Sequence, residues 1–98
     1  MATYIWLVNW TDQGIRNVKE TTKRAKSFKE MAEKKKGVKV KEFLWTMGRF
    51  DLVLVIDAPD DQTISSLTLA VGMLGNVRQE TLKAFSAQEM EQILKGLP

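Results

Sequence analysis

The run of five consecutive apolar residues at positions 52–56 is the feature that most constrains how this chain can fold. A strand with one face in water alternates apolar and polar residues, and this segment does not. It lies in the segment 43–57, where two β-rich arms flank Gly48 and predict a strand, a tight turn and a second strand. We therefore expect residues 52–56 to form a strand that is covered on both faces of its sheet.

The first strand is predicted at residues 3–10 and is also apolar on both faces. Apolar residues then follow helical spacing over residues 12–36, a region too long for one helix against an eight-residue strand. We expect that helical region to break near Thr21 and Thr22, with one of the two as the cap of the main helix.

The remaining elements are predicted from alternation, helical spacing and capping signals. They are a strand at 38–47, a helix at 61–74 after the N-cap Asp60, a strand at 77–85, and a closing helix whose capping box is formed by Ser86 and Glu89. The order predicts one α+β domain over residues 1–98, a ferredoxin-like β-α-β-β-α-β sandwich with a C-terminal helix. Its central strands would be the first and third.

Two helices can cover only one face of such a sheet, so something else must cover the other face. A second copy of the same sheet is the simplest cover, and we expect a homodimer. The helix at 61–74 is apolar around more than one face, which indicates that dimers associate into a higher oligomer.

Histidine and cysteine are both absent from the sequence. Their absence excludes disulfides, thiolate metal sites, the usual general base near neutral pH and the commonest haem ligand. We therefore expect no metal and no other cofactor. No apolar run approaches the roughly 20 residues of a membrane span, so we expect no membrane association and place the protein in the cytoplasm.

Basic residues are concentrated between Arg16 and Lys41, where 11 Lys and Arg face three Glu, a local balance of +8. A basic surface can attract nucleic-acid phosphates, which makes weak nucleic-acid binding through the first helix one alternative function. Lysine-rich helices more often present a solvated face. We prefer that interpretation and do not expect nucleic acid as a partner.

Five segments of the chain together resemble the GYD-domain family: residues 1–5, 9–16, 45–51, 58–61 and 75–78. The Gly-x-Tyr-Asp signature of that family is matched by Gly48, Phe50 and Asp51, with phenylalanine at the tyrosine position. The resemblance implies a dimeric α+β barrel, in which two ferredoxin-like sheets pack face to face, and it implies no single reaction. Related barrels include small monooxygenases, haem-degrading enzymes and the ligand-sensing domains of leucine-responsive regulators.

Several residues are candidates for a ligand site near the hairpin and the first strand. Asp51 could act as a general base or ligand acceptor beside Arg49 as an anion clamp, or it could accept backbone hydrogen bonds near Gly48, which we prefer. The aromatic residues could line an apolar pocket or only fill the core. The candidate ligand-binding residues are Tyr4, Trp6, Asn9, Trp10, Phe43, Trp45, Arg49 and Asp51.

The sequence therefore predicts a homo-oligomeric domain that binds a small molecule or serves as an assembly module, with no catalytic residue that can be assigned. The alternative is a cofactor-independent oxygenase-like or isomerase-like enzyme of the barrel superfamily. Such an enzyme would use Asp51 or a tyrosine, with Trp6 and Trp45 lining its pocket.

Overall fold

Four β-strands and four α-helices make up the computed structural model, which describes residues Met1–Pro98. The elements are β1 (Ala2–Trp10), α1 (Asp12–Arg16), a 3-10 turn (Val18–Glu20), α2 (Thr21–Glu33), β2 (Lys39–Trp45), β3 (Leu52–Ala58), α3 (Asp61–Met73), β4 (Val77–Ala84) and α4 (Ala87–Lys95). The small α+β domain with a four-stranded antiparallel sheet is confirmed and is compatible with a ferredoxin-like arrangement. None of the helices has both the length and the apolar character needed to cross a membrane.

The sheet has the strand order β2-β3-β1-β4, and every adjacent pair is antiparallel. The two strands that are apolar on both faces, β1 and β3, lie in the middle, and the more polar β2 and β4 form the edges. Ile5 of β1 lies opposite Val55 of β3 and Leu82 of β4, which fixes the register across three strands.

The hydrophobic core lies on one face of the sheet, beneath α2 and α3. We call this the covered face. Alternation along β1 and β3 points every second side chain into the core, where Ala32 of α2 and Ile64 and Leu67 of α3 pack against them. The buried strand residues are Tyr4, Trp6, Val8, Val40, Leu52, Leu54, Ile56 and Ala58.

The opposite face of the sheet, which we call the open face, is packed by none of the helices that form the core. Its side chains at the centre are only half-buried, and two at the edges are well exposed, Leu44 at 50% and Leu82 at 44%. The apolar residues of the open face are Ile5, Leu7, Leu44, Val53, Val55 and Leu82.

The helical region after β1 breaks earlier than the sequence predicted. α1 ends at Arg16, and α2 follows the 3-10 turn directly, with Thr21 as its first residue. The prediction that Thr21 or Thr22 caps the main helix is wrong, because both lie within α2. Thr21 has helical backbone angles (φ −59°, ψ −39°), and its Oγ1 accepts a hydrogen bond from Trp45 Nε1 (3.0 Å). The residue before α2, Glu20, makes no side-chain capping bond.

The N-caps predicted for the two later helices are confirmed. Asp60 Oδ1 accepts a hydrogen bond from the backbone N–H of Thr63 (2.8 Å) at the start of α3. Ser86 and Glu89 form a reciprocal capping box at the start of α4. Hydrogen bonds from Thr63 lower the pKa of the Asp60 carboxyl, and those from Ser86 lower the pKa of Glu89.

The C-terminal helix α4 lies apart from the sheet and from the other helices and makes hardly any contact with them. Its apolar stripe is open to solvent, with Ile93 45% and Leu94 53% exposed. The projecting helix makes the molecule elongated, 51 Å in its longest dimension, with a radius of gyration of 14.7 Å. A compact domain of this length would have a radius of gyration of about 13 Å.

Candidate functional site

A cavity of about 680 Å³ lies on the covered face of the sheet, between α2 and α3. Ligand pockets in proteins have volumes of about 300–1,000 Å³ and mostly apolar walls with a few polar groups. All four strands and both helices contribute residues to its lining. The apolar residues around it include Trp6, Val8, Trp10, Phe28, Phe43, Leu52, Leu54 and Val71.

Aromatic side chains form a continuous row along one side of this cavity. The Trp6 and Phe28 rings are 5.3 Å apart between centroids, and Phe28 is 6.4 Å from Phe43. Phe43 in turn packs 5.0 Å from Trp45. These distances are those of favourable aromatic pairs, so the row stiffens the wall between α2 and β2.

Two polar atoms in the cavity lining are buried and have no hydrogen-bond partner: Trp6 Nε1 and Gln79 Nε2. Trp6 lies opposite Thr81 and Val8 lies opposite Gln79 in the β1–β4 register. Trp6 and Gln79 are therefore diagonal neighbours on the same face of adjacent strands, close enough for long side chains to meet. Both atoms are donors, so with the Gln79 amide in this orientation they do not satisfy each other.

Charged residues of α2 and the preceding turn lie at the edge of the cavity. Lys23 Nζ pairs with Glu20 Oε2 at 3.5 Å, and Arg24 Nη1 donates to the carbonyl oxygen of Asn17 at 3.2 Å. Both cations are therefore already engaged by groups of the protein. Exposed pairs of this kind contribute little stability. The interior of the cavity, away from this charged edge, is mostly apolar.

Three of the candidate residues, Trp6, Trp10 and Phe43, come together in the cavity lining. Tyr4 lies on the covered face as well, but it is directed to the start of α3, where its hydroxyl donates to Asp61 Oδ1. Trp45 is outside the lining and donates its indole N–H to Thr21.

The other three candidates, Asn9, Arg49 and Asp51, lie outside the cavity lining. Alternation along β1 places Asn9 on the open face. Arg49 is exposed in the turn, its guanidinium carbon 5.4 Å from the centre of the Phe50 ring. Asp51 Oδ2 accepts a hydrogen bond from the backbone N–H of Trp10 (2.9 Å), so its partner is on β1 and not at the turn near Gly48.

Hydrogen bonding around Tyr4 sets the protonation of that residue and of Asp61. The Asp61 carboxylate, which accepts the Tyr4 hydroxyl and lies 3.2 Å from Lys83 Nζ, raises the pKa of Tyr4 to about 12. The bond from Tyr4, followed by Lys83, lowers the pKa of Asp61. Tyr4 is therefore a protonated donor at neutral pH and is poorly suited to act as a general base.

Comparison with known proteins gives a family match over almost the whole chain. The GYD domain family matches residues 4–94. The chain belongs to the GYD domain family. It is also 30% identical over 95 residues to the glutamine synthetase and cystathionine beta-lyase binding protein of Thermus thermophilus, covering 97% of this chain and all of that protein. No solved structure matched the chain.

Two of the segments that resemble the family meet in this GYD domain, at the end of β1 and the start of β4. Thr11 donates its backbone N–H to the carbonyl oxygen of Asn76 (3.1 Å) and its hydroxyl to that of Gly75 (2.6 Å). Gly14 packs so tightly here that a Cβ would lie 1.9 Å from the Asn76 oxygen. These motif residues are therefore structural, joining the α1 start to the α3–β4 loop.

Sequence reasoning missed Gln79, Phe28 and Met31 as residues of the cavity lining. Gln79 is in the strand that was interpreted only as a polar edge. Its two-residue spacing from Val77 was the signal that could have placed it on the covered face. Phe28 and Met31 were recognised as apolar helix positions, but spacing alone does not separate core residues from those that border a cavity.

Proposed function

We propose that this GYD domain is a homo-oligomeric assembly module that pairs through the open faces of two sheets, as in a dimeric α+β barrel, and binds protein partners in that form. The observation that carries the proposal is an apolar sheet face and an apolar helix stripe, both without cover from their own chain.

The open face supports pairing because its apolar residues form a patch at the centre of the sheet that reaches one edge strand in each row. One row joins Leu44, Val53 and Leu7 and ends at Glu80, and the next begins at Glu42 and joins Val55, Ile5 and Leu82. Burial of such a surface is favourable by about 25 cal/mol per Å². A second copy presents the same patch, so a two-fold axis would cover both sheets at once.

The projecting helix α4 supports the same assembly by an independent route. Its apolar residues Met90, Ile93, Leu94 and Leu97 are 43–65% exposed, and the helix makes hardly any contact with the rest of its own chain. A short isolated helix is marginal in water, and its stability in proteins comes mostly from packing of the apolar face. In the proposed dimer the partner copy supplies that packing, as it does for the open face.

Protein binding is supported by the Thermus thermophilus relative, whose name describes binding to glutamine synthetase and cystathionine beta-lyase. This small domain has two uncovered apolar surfaces, the open face and the stripe of α4, and no residue to which a reaction can be assigned. Both properties fit a role in organising metabolic enzymes. We extend the proposal to glutamine synthetase as the first partner to examine, with cystathionine beta-lyase as the second.

Self-association is tested by sedimentation velocity of wild type, Leu82→Lys and Ile15→Lys. Leu82 on the open face and Ile15 on α1 are similarly exposed, at 44% and 48%, so each substitution places a lysine at a comparable surface position. We expect dimers for wild type and Ile15→Lys, and a folded monomer at micromolar concentration for Leu82→Lys. A monomeric wild type would refute the proposal.

Partner binding is tested with purified glutamine synthetase and cystathionine beta-lyase encoded by the same genome. Biolayer interferometry should show saturable binding of the wild-type domain to at least one of them and none to an unrelated oligomeric enzyme of similar charge. Absence of binding to both would leave self-association standing and remove the extension to these partners.

No observation favours the two alternative functions. Both proton-transfer candidates of the enzyme alternative, Asp51 and Tyr4, are held in hydrogen bonds that stabilise the fold. The lysines of α2 are exposed to solvent, and nothing in their arrangement indicates a groove or pocket for nucleic acid.

A further inference from the structure

We propose that the cavity between the covered face and α2 and α3 is a binding site for a small, uncharged apolar molecule whose carbonyl oxygen accepts hydrogen bonds from Trp6 Nε1 and Gln79 Nε2. The proposal is independent of the assembly function, because the cavity and the open face are on opposite sides of the sheet.

The two unpartnered donors are the first observation. Buried polar groups in folded proteins are nearly always hydrogen-bonded, so two orphan donors in one cavity require an explanation. They are diagonal neighbours on adjacent strands, and Trp6 is only 2% exposed. A single carbonyl oxygen has two lone pairs and can accept from both at once.

The apolar surroundings determine the class of ligand. Trp6, Phe28, Phe43, Leu52 and Leu54 offer an apolar body a large contact area, and the volume of about 680 Å³ admits a molecule with one ring and a short chain. A carboxylate beside the two donors would be buried with only neutral hydrogen bonds, which is strongly unfavourable. An uncharged ketone, ester, amide or lactone satisfies the donors without burying a charge.

The cations at the edge do not change this conclusion. Lys23 is paired with Glu20, and Arg24 donates to a backbone carbonyl, so neither needs an anionic ligand group. A bound water is one competing explanation. It would accept from both donors, but it would also need acceptors for its own two hydrogens next to a largely apolar wall. A rotated Gln79 amide is the other, because its Oε1 would then accept from Trp6 Nε1, and the ketone would shift neither side-chain signal.

The test uses two probes of nearly equal shape and ¹H–¹⁵N NMR of the full chain. The probes are 4-phenylbutan-2-one and 2-methyl-4-phenylbut-1-ene, in which a methylene group replaces the carbonyl oxygen. We expect the ketone to shift the Trp6 indole and Gln79 amide side-chain signals saturably, and to bind at least tenfold more tightly than the hydrocarbon. Indole signals are assigned by single Trp→Phe variants.

Gln79→Leu and Trp6→Phe remove one donor each while keeping an apolar side chain in the lining. Either variant should weaken ketone binding severalfold and strengthen hydrocarbon binding, a reversal that a loss of packing alone would not produce. Trp45→Phe is the matched control, because its indole N–H already has a partner in Thr21 and lies outside the lining. Should Trp6→Phe fold poorly, Gln79→Leu still decides the question.

Three results would overturn the proposal. One is the absence of saturable shifts at Trp6 and Gln79 with the ketone at millimolar concentration. Another is equal affinity for the two probes in wild type. The third is a long-lived water at both donors, seen by water–amide cross-relaxation, that the ketone does not displace.

Discussion

Asp51 shows how a residue that looks catalytic can complete a strand ladder. The β1–β3 pairing ends at Val8 and Leu52, yet β1 continues to Trp10, whose backbone N–H then needs an acceptor on the β3 side. Asp51 Oδ2 supplies it at 2.9 Å, while the Asp51 backbone N–H donates to the Val8 oxygen at 2.8 Å. The side chain thus replaces one rung of the ladder.

We expect Asp51→Ala to lower the free energy of unfolding by about 1–2 kcal/mol, the cost of leaving a backbone donor without its acceptor. Asp51→Asn keeps an oxygen in place and should cost less than half as much. Urea denaturation measures both, with Arg49→Ala in the exposed turn as the near-neutral control. Equal stability of Asp51→Ala and wild type would show that Asp51 has no structural role.

The Tyr4–Asp61 bond predicts a loss of stability in alkali. Tyr4 titrates near pH 10 when unfolded and near 12 when folded, so the folded state holds its proton more tightly between those values. By linkage, the stabilising contribution is complete below pH 10 and is lost as the pH rises towards 12. The pKa of Asp61 is shifted down, so its own contribution is lost only in acid.

We therefore expect wild type to lose more unfolding free energy between pH 9.5 and 11.5 than Tyr4→Phe, which lacks the titrating hydroxyl. Both proteins carry the same lysines, so lysine titration affects the two curves equally. The measurement is urea denaturation at a series of pH values. If the unfolding free energies of the two proteins fall in parallel with pH, the Tyr4–Asp61 bond does not cause the loss of stability in alkali.

At the scale of elements, the junction of α1 with the α3–β4 loop constrains side-chain size at Gly14. A Cβ there would lie 1.9 Å from the Asn76 oxygen, a backbone atom that cannot move without disturbing its bond to Thr11. We expect Gly14→Ala to cost about 2–3 kcal/mol or more, at the upper end of the penalty for overpacking.

Gly72 in α3 provides the control, since a Cβ there would meet only Arg78 Nη1 at 3.5 Å, an ordinary contact. Gly72→Ala should stabilise the protein by about 0.5–1 kcal/mol through helix propensity. Thermal unfolding of the two variants should therefore move in opposite directions. If the two variants change thermal stability similarly, the backbone around Gly14 and Asn76 can shift to accommodate a Cβ at little cost.

The elements themselves were predictable where a local signal decided them. Alternation and apolar runs gave the strands, and Asp60 and Ser86 marked the starts of α3 and α4 through bonds within one turn. The break before α2 was misplaced: the chain breaks at residues 17–20, and Thr21 is helical, with its hydroxyl accepting from Trp45, a residue 24 positions away. Of the aromatic residues proposed as a pocket or as core filling, Trp6, Trp10 and Phe43 line the cavity and Tyr4 and Trp45 do not. Alternation from Val77 could have placed Gln79 on the covered face, but its position beside Trp6 needed the β1–β4 register.

For the whole molecule, the uncovered α4 and open face predict that thermal stability depends on protein concentration. A dimer that unfolds to monomers gains stability with concentration by mass action, so the wild-type Tm should rise between about 1 and 100 μM. Ile93→Lys removes a half-exposed apolar residue of a helix that makes hardly any contact with the rest of its own chain, so it should change the low-concentration Tm little and abolish the rise. Gln92→Lys, one position earlier on α4, should behave as wild type. If Ile93→Lys keeps the full concentration dependence, α4 lies outside the interface, and the open face alone must hold the copies together.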